Sequence, residues 1–316
     1  MRTIIVPQSL LDLASEQAGL VSTTQCEQAG VGSGTRTRLV QNGRWRRPTQ
    51  GVYWVPGVVK APTSTSEKWS LSHRRQVIRT LLSAPNDAIP VSLTALAVHN
   101  VWGLPAHLGC EVVYGAGRHA RGSRGIRVRQ FRATFETTTV GGLVVPTVRS
   151  ALVQALPEVG RDLAVVLVDN ALNRMMISEH ELELIRQGVR GRRGAAHLHR
   201  VWPLIDGRSE SPIETRARLE CVDSGIPADD LQVEQFDENG RFLGRGDLGW
   251  RRRNGSWVLV EMDGIEVHSQ ARAVSSDRRR QNGIASRSRE TTLLRYLAED
   301  LGTGVIVRDV REALSV

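Results

Sequence analysis

From Ser211 to Tyr296 the chain sets helix-type and strand-type segments in an order that few folds accept. Pro212 stands where a helix can start without losing a hydrogen bond, and the helix extends to Glu220. Strand-type runs follow at 231–236, 242–250 and 257–262. Asn254-Gly255 makes the last two a hairpin, because that pair adopts the positive φ angles of a tight turn. Ser275, Ser276 and Asp277 then cap a helix through about residue 289, a closing strand fits 292–296, and a terminal helix begins near Arg308. Helix, three antiparallel strands, helix and strand predict an α/β nuclease-type core over 209–316.

The acids fall where such a core needs them. Asp247 is on the first hairpin strand and Glu261 near the end of the second, so pairing can bring them together at one end of the sheet. Two carboxylates and the main-chain carbonyl of Met262 would make a hard oxygen site suited to Mg²⁺. The ion would lower the pKa of a bound water and stabilise charge during phosphodiester attack. Glu214, on the preceding helix, could reach the same metal or its water. Asp263 follows Glu261 by two residues and shares its face of the strand. His268, in a polar loop five residues further on, suits acid–base work or water positioning, against the alternative of an exposed loop histidine.

The other end of the chain predicts a different module. Helical spacing at 9–18, 22–29 and 33–41 precedes a β-rich ribbon from Arg44 to Pro56, the order of a winged helix-turn-helix. Its third helix would offer Ser33, Thr35, Arg36, Thr37 and Arg38 to the major groove of double-stranded DNA. Arg44, Arg46 and Arg47 would sit on the backbone or in the minor groove. The alternative is that Trp45, Tyr53 and Trp54 pack a small core and the arginines are solvated.

Between these modules lies a polar linker at 62–66 and a basic mixed α/β region. The domain plan is therefore a winged helix at 1–60, a middle domain at 61–208 and the nuclease-type core at 209–316, an α+β multidomain chain. Charge follows the same division. Residues 1–60 hold 7 basic and 3 acidic side chains, 61–208 hold 19 and 11, and 209–316 hold 16 and 19. The first two segments suit a polyanion, while the last concentrates carboxylates.

Composition excludes several chemistries. Of 42 basic residues only Lys60 and Lys68 are lysine. No phosphate-binding P-loop exists, and no lysine beyond residue 68 can act as Schiff base or general base. Cys26, Cys110 and Cys221 are too few and too scattered for a disulfide framework or a zinc site. His197 and His199 have no nearby cysteine or acidic partner in sequence and are expected on the surface or in packing. With no membrane span and no signal peptide, a cytoplasmic protein is expected.

Two resemblances extend this. The stretch from Ser211 to Glu214, Arg245-Gly-Asp247-Leu-Gly-Trp250, Val260-Glu-Met-Asp-Gly264, His268 and Asp277-Arg-Arg-Arg-Gln-Asn282 resemble the DUF559 proteins. Those are similar to very-short-patch repair endonucleases of the PD-(D/E)XK superfamily. The resemblance implies a metal-dependent nuclease with a restriction-endonuclease-like core, Asp247 and Glu261 as ligands, and Asp263, His268, Arg280 and Asn282 as further site residues. Residues 8–60 resemble the winged helix of AbiEi-type antitoxins, which implies a transcriptional repressor with a cognate toxin. The superfamily's Glu-X-Lys is here Glu261-Met-Asp263, so the lysine that would orient water is a carboxylate. Arginine is a poor proton acceptor, with a pKa above about 12, so His268 is the first candidate to take that part.

Two functions follow as expectations. One is a Mg²⁺-dependent DNA endonuclease guided by a winged helix. The other is a non-catalytic AbiEi-like repressor or antitoxin whose C-terminal fold is a binding scaffold.

Overall fold

The computed structural model describes residues 4–84, 88–114, 126–131, 134–236, 239–263 and 291–315. The helix expected at 275–289, and with it His268, Arg280 and Asn282, lies outside the described residues. The fold is mixed α/β, built of several helices and four small sheets. Its contacts group into two compact units. One comprises Met1–Thr63, Glu67–Val159 and Ile177–Ala196, the other Ser64–Ser66, Gly160–Met176 and His197–Val316. Neither division at 60 nor at 208 coincides with this grouping.

The first unit opens with α1 (Gln8–Glu16), β1 (Leu20–Ser22), α2 (Thr23–Gln28), α3 (Ser33–Gln41), β2 (Arg46–Thr49) and β3 (Val52–Trp54). This is a winged-helix-like arrangement, with the strands ordered β1-β3-β2. Ser22 ends β1 and caps α2: its hydroxyl accepts from Gln25 N at 3.1 Å, and Gln25 Oε1 accepts from Ser22 N at 2.8 Å. That reciprocal pair satisfies two backbone donors at the helix start. Leu10, Ala14, Val21, Cys26, Leu39 and Trp45 form the buried core. The sequence pattern hides β1, because a three-residue strand has no periodicity and exists only through its pairing with β3.

The same unit continues through most of α4 (Thr65–Leu82), α5 (Ser92–Val98), α6 (Val148–Ala155) and α8 (Glu179–Gly188), with the short strands β4 (Ala88–Pro90), β5 (Cys110–Tyr114), β6 (Ile126–Val128), β7 (Thr137–Val140) and β8 (Leu143–Pro146) between them. Helix α4 takes in the end of the expected linker. The capping box expected at Ser178 and Glu181 forms, with Glu181 N donating to the serine hydroxyl at 3.2 Å. All three cysteines are buried and free. Among the described residues no helix is long and apolar enough to cross a membrane.

The second unit holds α7 (Arg161–Asn173), α9 (Pro212–Asp223), β9 (Asp230–Phe236), β10 (Phe242–Arg251), β11 (Trp257–Asp263), β12 (Thr292–Leu297) and α10 (Val305–Leu314). The sheet order is β12-β11-β10-β9, antiparallel except for the parallel pair β11 and β12. Leu248, Val258, Val260 and Tyr296 from the sheet pack with Ala217 and Cys221 of α9 and Ile306 and Val310 of α10. Trp250 is buried and donates its indole N–H to Ile226 O at 3.0 Å.

A buried ion pair helps fasten helix α7 in this unit, beside the Arg161–Asp223 pair. Asp169, with none of its surface exposed, accepts from Arg218 at 2.7 Å, Thr215 Oγ1 at 3.1 Å and Asp206 N at 2.8 Å. These bonds fasten α7 and the 206 turn to α9, and net charge along the sequence gives no sign of them. Asp169→Ala would strand the Arg218 guanidinium, a loss of about 3–5 kcal/mol. The expected result is a marked drop in the urea midpoint of this unit with an unchanged slope, measured by intrinsic fluorescence.

Candidate functional site

Helix α3 starts after Gly32, whose backbone is extended, and carries Ser33, Thr37 and Arg38 on its exposed surface. Thr35 is half-buried. Arg36 corrects the sequence expectation. Its side chain is 6% exposed and points inward. It donates to Val31 O at 2.8 Å and to Glu27 Oε1 at 3.0 Å, and its guanidinium lies 5.8 Å from the Tyr53 ring centre. It is a strut between helices, because position 36 falls on the same helical face as the buried Leu39. Arg44, Arg46 and Arg47 are exposed. Arg44 donates to Ile4 O at 3.0 Å, and Arg46 lies over the Trp54 ring at 5.0 Å. Trp45 and Tyr53 pack in the core, 5.9 Å apart. The aromatics thus take the packing role, while Thr37, Arg38, Arg44, Arg46 and Arg47 keep a solvent-facing basic surface.

The second cluster crosses the C-terminal sheet. Leu248 pairs with Val260, so the next residues outward are Asp247 and Glu261. Leu248 also pairs with Leu231 and Gly246 with Val233, which sets Gln232 opposite Asp247. Glu261 pairs with Arg295 across the parallel strands. Gln232, Asp247, Glu261 and Arg295 therefore form one row across four strands. Glu214 joins it from α9, where the Ser211 hydroxyl caps the helix by accepting from Glu214 N at 3.3 Å. The Glu214 carboxylate accepts from Glu210 N at 2.7 Å and from Gln232 Nε2 at 2.9 Å. Asp247 Oδ2 accepts from Met262 N at 2.7 Å, and Glu261 is ion-paired with Arg295 at 3.1 Å. Asp263 follows on β11, half-buried beside Leu297.

Burial and like charge set the electrostatics. Burial pushes Asp247 up to about 7, with the charges of Glu214 and Glu261 adding to it. The Met262 N–H and Arg245 offset part of this. Burial also raises Glu214, with Glu210 contributing, against hydrogen bonds from Ser211 and Gln232. Gln232 has φ of 55°, a left-handed conformation inside a strand, and its Oε1 is buried without a hydrogen-bond partner among the described residues. Non-glycine residues in that region store about 1–3 kcal/mol and cluster at functional sites.

The metal expectation meets a limit here. Among the described residues no group of three or more His, Cys, Asp or Glu is arranged to hold a metal ion. Glu214, Asp247 and Glu261 each give an oxygen to a protein partner instead. Two carboxylates and a main-chain carbonyl, the set expected for Mg²⁺, are smaller than such a group. Sequence reasoning also missed Gln232 and Arg295. Arg295 stands in a Leu-Leu-Arg-Tyr run with no motif, and only the parallel register places it beside Glu261.

Two outcomes are expected. Arg36→Ala should cost the winged helix about 2 kcal/mol, since it breaks hydrogen bonds to a charged group, whereas Arg38→Ala should leave the melting temperature unchanged. Asp247 is held above its ordinary carboxylate value, so its contribution to folding is present in acid and lost as pH rises through about 7. The C-terminal transition should therefore melt lower at about pH 8 than at about pH 5, and Asp247→Asn should flatten that difference and melt higher at the alkaline end.

Residues 8–56, the winged-helix-like segment, match the family described as transcriptional regulator, AbiEi antitoxin. The chain is also 29% identical over 153 residues to an uncharacterized protein of Mycobacterium tuberculosis, found in two strains as MT2308 and Rv2248. That similarity covers 48% of this chain and 55% of the relative, so the chain spans about half the length of the curated relatives it matches. The N-terminal segment thus has the likeness of a DNA-binding transcriptional regulator of the AbiEi antitoxin kind.

Proposed function

We propose that this chain binds double-stranded DNA through its N-terminal winged helix and acts as a transcriptional regulator in the manner of AbiEi antitoxins. The observation that carries this is the exposed basic surface of α3 and the wing, Arg38, Arg44, Arg46 and Arg47, inside the segment that matches that family. Cations on a wing hold phosphates, and the exposed hydroxyls and Arg38 of α3 are of the type that reads base edges. A cognate toxin is a second partner on this reading.

The test is binding of the purified chain to DNA from its own promoter region by fluorescence anisotropy. Arg44→Ala with Arg47→Ala should weaken binding across all sequences and lower the salt slope by about 2. Arg38→Ala should instead reduce discrimination between promoter and unrelated DNA. Binding unchanged by all three substitutions would remove the DNA-reading role.

The carboxylate row favours a second reading, a Mg²⁺-dependent endonuclease in the C-terminal unit. Three neighbouring acids, Asp247 and Glu261 on the sheet and Glu214 from α9, support it, together with the resemblance of the motifs around them. On this reading Asp247, Glu261 and the Met262 carbonyl would hold the ion, and His268, Arg280 and Asn282 are the positions to mutate with Asp263. Plasmid nicking should require Mg²⁺ and fall by at least about a hundredfold in Asp247→Ala and Glu261→Ala, the size expected when a group that stabilises transition-state charge is lost. Absence of metal-dependent nicking, or equal nicking by wild type and both variants, would leave the C-terminal unit as a scaffold.

A further inference from the structure

Two adjoining cavities of about 340 and 350 Å³ in the first unit share Trp54, Ser72 and Arg75. Lys60 and Lys68 line the first, Arg79 lines the second, and no carboxylate lines either. The only two lysines of the chain therefore stand in one groove. Both are exposed, and no ion pair occupies Lys60, Lys68, Arg75 or Arg79 among the described residues. By contrast, Arg127 and Arg129 pair with Glu111, Arg149 with Glu136 and Arg208 with Asp206.

The groove has direction. Lys68, Ser72, Arg75 and Arg79 recur at steps of four, three and four along α4, so they share one helical face. At 1.5 Å per residue that stripe is about 16 Å long. A single small anion would need cations converging on one point, whereas a line of cations fits a polymer of phosphates. The stripe also joins the surface already described. Arg46 of the wing lies over the Trp54 ring at 5.0 Å and Arg75 over the same ring at 5.4 Å. Arg75 is held there by donating through Nε to Ala18 O at 3.1 Å. Trp54 therefore makes one continuous cationic band of the wing and α4.

We propose that this groove is a second phosphate track, along which the DNA held by the winged helix continues with its backbone on Lys60, Lys68, Arg75 and Arg79. The track rests on the DNA-binding reading above and adds a footprint beyond it. Its cations hold phosphates without reading sequence, with the Ser72 hydroxyl and the Gln76 amide beside them.

Duplexes of about 12 and about 30 base pairs, both centred on the bound sequence, separate the two surfaces. Lys60→Gln with Lys68→Gln should weaken binding of the longer duplex about tenfold and lower its salt slope by about 2, with little effect on the shorter one. Arg79→Gln, on the same stripe, should act in the same direction, and Lys60→Arg with Lys68→Arg should bind as wild type does. These side chains are exposed or line an open groove, so melting temperatures should not move. Arg44→Ala with Arg47→Ala should weaken both duplexes. If the lysine variant weakens both equally, or neither, the second track is overturned while the DNA-binding reading stands. A wild-type chain that binds neither duplex at low salt overturns both.

Discussion

Where an arginine-rich chain places its guanidinium charges decides much of this structure. Arg36, Arg129, Arg218 and Arg295 are drawn inward, and each is matched by a carboxylate: Glu27, Glu111, Asp169 and Glu261. A buried charge without a partner costs several kcal/mol, and each of these inward-pointing arginines meets an acid. Those pairs in turn hold elements together, Arg36 between α3 and the turn after α2, Arg218 between α9 and α7. Among the cations left without acids are those on the wing and along α4. The same pairing rule that builds the interior thus defines the surface able to meet a polyanion.

The C-terminal sheet shows the opposite balance. Its row of acids is only partly offset, by Arg295 at one end and Arg245 nearby. Burial and mutual repulsion hold Asp247 near neutrality, a state that lowers stability above its pKa and is the kind of strain found where charge is held for a purpose. The left-handed Gln232 beside it adds backbone strain at the same place. Arg295 reaches Glu261 from the neighbouring strand. Its role there is electrostatic, because arginine does not take up a proton at neutral pH.

Much of the fold is legible in local chemistry. The strands at 230–236, 242–251 and 257–263 follow from their hydrophobic runs and from the Asn254-Gly255 turn. The capping boxes at Ser22 and Ser178 follow from side chains that reach only three residues. The neighbouring positions of Asp247 and Glu261 follow from the hairpin, whose register a tight turn fixes. What distant partners hold was not legible: β1 depends on β3, thirty-odd residues away, and the attachment of α7 to α9 on a buried acid. Arg36 shows the same limit at one residue, since its spacing fits both a DNA-facing stripe and the buried face beside Leu39.

The sequence by itself determined the secondary elements, the pairing of Asp247 with Glu261, the basic winged helix and the absence of any lysine beyond residue 68. Tertiary structure decided which charges are interior and which are free. It turned Arg36 inward, brought Arg295 to Glu261 through a parallel pairing, tied α7 to α9 through Asp169 and aligned both lysines in one groove. The physical reason is common to all four. Each depends on contacts between residues far apart in the chain, where burial and Coulomb attraction depend on distance in space, and a sequence records only distance along itself.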